Sequence, residues 1–385
     1  MFLLPMLFNP SLCCPLKGYS TVENAHVQSV LFPLLDYCTD ITQVNRAETL
    51  LEDGLRLWLV TLVSSRVSTM GQSLTSMLPR LEQIVRSGLE PQLSLKVLQT
   101  NEKLLGPQVV ESLAPVLADL LAKLVEPVIR SSSATSSQGG GDDNDEMDDG
   151  SSHTPAAKQG GADRGKVTIQ GAAAALHFSA FVMRLSPDLG RRIAFPAVAE
   201  IARSLPGERF PVPLLEPAFD ALGRMLWIEP GCLDELFPNR SAADGDGDRM
   251  IAAVVDRWIE VSTSVSVLTM MSARAQKITF IEQKGAALSL CAAVFRSPRV
   301  ARAVGTQVCA YAKRVLEAET RSEVDLDSLV EAACSVTRRV VGDGPLGDVS
   351  ARTADMLASD PLLTMSLKEA VEGAEKAVGA LEGGK

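Results

Sequence analysis

The stretch Leu50–Leu62, LLEDGLRLWLVTL, carries two acids near its start and is then almost wholly apolar. Leu51, Leu55, Trp58 and Leu62 recur at i, i+4, i+7 and i+11, one stripe of a 3.6-residue helix. Leu50, Leu57, Leu59 and Val60 fill much of the remaining circumference. A helix that is apolar on nearly every side needs cover from several directions, from a paired helix and from neighbours stacked above and below. That requirement points to a layered array of helices.

A second pattern gives the array a period. FPLLD around Pro33, LPRLE around Pro79, APVLAD around Pro115 and FPAVAE around Pro196 each set Pro two residues before Leu or Val, with an acid one or two residues later. Once an insertion over 131–165 is set aside, the prolines recur at intervals of roughly 36 to 46 residues, close to the period of two-helix HEAT or armadillo repeats. Proline is tolerated early in a helix and bends it elsewhere, so a recurring Pro fixes a recurring helix geometry. Further helical stripes are Leu113, Leu117, Leu120 and Leu124; Ile251, Val254, Val255 and Trp258; and Leu367, Ala370, Val371, Ala374 and Leu381. Turn signals fall at Ser87-Gly88, Pro206-Gly207, Pro230-Gly231 and Gly342-Asp343-Gly344-Pro345. With 46% hydrophobic but only 4% aromatic residues, the core is mostly Leu, Val and Ala, which suits close helix packing. The expected fold is all-α, a HEAT/armadillo-type solenoid of about eight antiparallel helix pairs.

Within it, 1–19 is expected to be the ragged segment of a truncated repeat, 20–130 HEAT-like repeats, 131–165 a disordered acidic insertion and 166–385 HEAT-like repeats. The insertion, rich in Ser, Gly and Asp, has almost nothing to bury. Its seven acids against Lys158 and Arg164 supply about half of the chain's net charge of -10. That charge argues against nucleic acid as the main partner and favours a basic one. Asp142, Asp143, Asp145, Glu146, Asp148 and Asp149 are candidate contacts for it, with at most weak, unselective cation binding. Arg296, Arg299 and Arg302 form the clearest basic cluster, either a solvated outer face or a contact for an acidic partner.

Signals for other chemistry are poor. The seven cysteines show no CxxC pair and read as reduced packing residues, and Cys13-Cys14 as part of a ragged end rather than an acylation site. The apolar start lacks the basic region and cleavage signal of a secretory leader, and no apolar run approaches the ~20 residues of a membrane span. GGADRGKVT from Gly160 misses the P-loop hydroxyl by one place, with Val167 where Ser or Thr belongs, and no strand precedes it. DGDGDRM from Asp244 departs from a calcium loop at Arg249 and Val255, and reads as a solvated turn. No histidine stands at ligand spacing, and no nucleophile elbow occurs. The chain is therefore expected to be no enzyme, with neither cofactor nor metal.

HVQSVLFPLLDYCTDITQ (26–43) followed by LLEDGLRLWLVTL (50–62) resembles the C-terminal half of receptors of the importin-β (karyopherin) superfamily, most closely the importin-eleven branch. MIAAVVDRWIEV (250–261), KGAALSLCAAVF (284–295) and DPLLTMSLKEAV (360–371) resemble later segments of that branch in the same order. The resemblance implies a nuclear transport receptor that shuttles between nucleus and cytoplasm. It implies protein cargo as partner, Phe-Gly repeat proteins of the nuclear pore, and regulation by the small GTPase Ran in a longer protein. The family's Ran-binding repeats would lie upstream of Met1, and the acidic insertion departs from its pattern. The competing expectation is a HEAT scaffold of a cytosolic complex with no transport role.

Overall fold

The computed structural model describes residues 24–63, 67–133, 160–207, 210–239, 245–268, 273–322, 355–356 and 358–383. Among them every regular element is helical. The helices are α1 (Ala25–Cys38), α2 (Val44–Val63), α3 (Val67–Ser87), α4 (Pro91–Leu105), α5 (Gln108–Ser112), α6 (Ala114–Ser133), α7 (Gly160–Leu185), α8 (Phe195–Ser204), α9 (Leu215–Ile228), α10 (Cys232–Leu236), α11 (Asp246–Leu268), α12 (Ala273–Arg296), α13 (Pro298–Ser322), α14 (Pro361–Thr364) and α15 (Leu367–Glu382). They fall into two compact units, α1–α5 in the first and α6–α15 in the second.

In the first unit α1 packs on α2 and α3 on α4, while α1 also meets α3 and α2 meets α4. Two antiparallel hairpins therefore lie side by side, first helix against first and second against second. The second unit repeats the scheme with α6/α7, α8/α9, α11/α12 and α13/α15. Six such pairs are present among the described residues. Successive first helices start at Ala25 and Val67 in the first unit, and at Phe195, Asp246 and Pro298 later in the second. This is the expected all-α repeat architecture, with a spacing nearer that of HEAT than of the shorter TPR repeats.

The proline pattern marks the first helices. Pro33, Pro79, Pro115 and Pro196 all lie in the first helix of a pair, each exposed, and two residues later Leu35, Leu81, Leu117 and Val198 are each buried to 1% exposure or less. Pro115 and Pro196 occupy the first turn, where no amide is missed, whereas Pro33 and Pro79 interrupt helix interiors from the solvent side.

The motif that begins with Thr39 joins α1 to α2. The buried Thr39 hydroxyl donates to the Leu35 carbonyl, and Asp40 accepts from the amide and hydroxyl of Thr42. Gly54 then lets α2 close on the end of α1, since a Cβ there would sit 2.8 Å from Cys38 Cβ. Trp58, one turn further, is fully buried, and its Nε1 has no hydrogen-bond partner. Leu51, Leu55 and Leu62 are equally enclosed, whereas Val60 stays half exposed. The apolar helix is thus covered on all but a narrow strip.

The termini of the acidic composition break are helical. α6 runs to Ser133 and α7 starts at Gly160, so Gly160–Thr168 is helix and not a phosphate-binding loop. Asp142, Asp143, Asp145, Glu146, Asp148 and Asp149 lie outside the described residues. So do Cys13, Cys14 and Cys334.

Candidate protein-binding groove

On the first-helix layer of the second unit, α6 and α8 lie side by side with an open groove of about 690 Å³ between them. α6 contributes Ala122, Val125, Glu126 and Ile129, and α8 contributes Pro196, Ala199, Glu200 and Arg203. Each set is a single helical stripe at i, i+3, i+4 and i+7. The floor is apolar, and alanine at 122, 197 and 199 keeps it wide. Its rim charges are matched within their own helices: Lys123 with Asp119 at 2.7 Å, Glu126 with Arg130 at 2.5 Å and Glu200 with Arg203 at 2.5 Å. Such a slot suits one or two apolar side chains of a peptide.

In the first unit the first helices are bridged by ion pairs. Arg80 of α3 reaches Asp36 of α1 at 2.9 Å and Asp40 at 3.2 Å, tying the two first helices together over the surface.

The basic cluster divides. Arg299 is turned inward: its guanidinium donates to Asp248 at 2.5 Å, to the Phe237 carbonyl at 2.6 Å and to Asn239 at 3.0 Å. It staples α13 to the start of α11 and the end of α10, and its bond with Asp248, outweighing desolvation, holds that carboxyl below the usual carboxylate range. Gly247 leaves room for it, since a Cβ there would strike both the guanidinium and the Phe237 carbonyl. Asp246–Arg249, expected as a solvated turn, are instead the first turn of α11, held by the Arg299–Asp248 clamp. Arg296 and Arg302 remain exposed, Arg296 lying 5.8 Å from the centre of the Phe295 ring.

Buried thiols and a phenol serve packing. Burial and nearby acids push Cys232 up to about 12, burial does the same to Cys291, and Tyr311 is raised to about 12 by burial. A thiol held protonated is a poor nucleophile. No group of His, Cys, Asp or Glu among the described residues could hold a metal ion, and no described helix is long and apolar enough to cross a membrane.

Residues 20–137 match the model of a family described as importin-11-like, TPR repeats. That segment is similar to importin-11-like repeats. The match spans α1–α6, less than a third of the 385 residues, and includes the Thr39-Asp40, Gly54 and Trp58 positions and one wall of the groove. The segments 250–261, 284–295 and 360–371 lie beyond it. No curated protein and no solved structure matches the chain. With six helix pairs among the described residues, the chain is a helical repeat protein whose residues 20–137 are similar to the importin-11-like family.

Three features of the structure differ in how much sequence signal they carry. Alanines 122, 197 and 199 look like ordinary helix formers. Arg299 meets partners 51 to 65 residues away. Ser366 and Glu369 did carry a legible signature, the S-x-x-E capping box, and Ser366 accepts from the Glu369 amide at 3.4 Å.

Proposed function

We propose that the chain is part of a nuclear transport receptor that binds protein cargo without catalysis, shuttles between nucleus and cytoplasm, and in a longer protein releases cargo to Ran in its GTP form. The observation that carries this is the coincidence of the importin-11-like match with a stack of helix pairs in the same segment. The open α6/α8 groove is the seat proposed for Phe side chains of pore proteins, because its apolar floor and internally neutralised rim favour an uncharged aromatic segment over a charged one. The acids at 142–149 are proposed to speed encounter with basic cargo, and exposed Arg296 and Arg302 to meet acidic patches on it.

A pull-down from cell extract with the full-length chain, with and without Ran locked in its GTP state, tests the function. A set of captured proteins that Ran displaces supports transport. A stable set indifferent to Ran and to pore proteins supports the cytosolic scaffold instead.

A further inference from the structure

We draw no further inference here: the strongest candidate, the buried thiol pair of Cys291 on α12 and Cys309 on α13, rests only on its raised pKa values, set for Cys291 by burial and then by the neighbouring Cys309, and thiols held protonated in this way are poor nucleophiles.

Discussion

Gly54 of α2 faces Cys38 of α1 across a gap too small for a methyl group, with 2.8 Å between the site of a Cβ and Cys38 Cβ and 3.1 Å to the Cys38 carbonyl carbon. Two backbones meet here, so neither side can yield cheaply. Gly54→Ala is expected to cost about 1–2 kcal/mol despite the gain in helix propensity, because overpacking outweighs it. Gly379→Ala, where a Cβ meets nothing within 4 Å, should be neutral or stabilising. Urea melts of the two variants check the contrast, and equal effects would mean that the close approach does not govern position 54.

Trp58 combines complete burial with an unpartnered Nε1. Trp58→Ala should cost about 3–5 kcal/mol, the cavity term of a large core residue. Trp58→Phe keeps much of the ring and removes an N–H that lacks an acceptor, so it should cost clearly less. Chemical denaturation of both variants decides; a Trp58→Ala loss under about 1 kcal/mol would contradict the burial.

Arg299→Ala removes donors to Asp248, Asn239 and the Phe237 carbonyl from a side chain only 17% exposed. A loss of about 1.5–3 kcal/mol is expected, the scale of hydrogen bonds made by charged groups. Arg302→Ala on the exposed side should stay within about 0.5 kcal/mol. If binding to an acidic partner is measured instead, Arg302→Ala should weaken it without altering the melting temperature.

Asp360 supplies a pH dependence. Burial alone would raise its carboxyl, but the Arg224 hydrogen bond and the charges of Arg224 and Arg184 outweigh it and hold the value below the ordinary range. A depressed folded value adds stability above the unfolded value of about 3.9, and that stability is lost as pH falls through the folded value. Asp360→Asn should therefore cost about 3 kcal/mol at neutral pH, the scale of a buried pair robbed of one partner. The gap to wild type should shrink below about pH 4. Denaturant titrations from pH 7 downward follow it, and a gap that stays constant with pH would exclude the ionised carboxylate as its source.

What the sequence disclosed and what it hid follow the range of the forces involved. Trp58, Leu35, Leu81 and Val198 were legible because burial along one helix leaves a local period, and four prolines kept that period in step from Pro33 to Pro196. The Arg299 staple and the buried Asp360–Arg224 pair were not, because each depends on residues brought together from far along the chain, 136 positions apart for Asp360 and Arg224. The groove was hidden for another reason: a floor made of alanine, valine and isoleucine differs from core only in lacking a neighbour above it among the described residues. DGDGDR misled by resembling a free turn, since nothing local tells Gly247 that an arginine from α13 must pass over it.

The proposed role of the α6/α8 groove is to take aromatic side chains of pore proteins. Calorimetric titration of the full-length chain with a Phe-Gly repeat peptide, beside the Ala199→Glu variant, tests it most directly. Ala199 is only partly buried, so the variant should keep its melting temperature while a carboxylate placed on the apolar floor lowers affinity by about tenfold or more. A peptide that binds wild type and variant alike, or does not bind at all, would contradict the account.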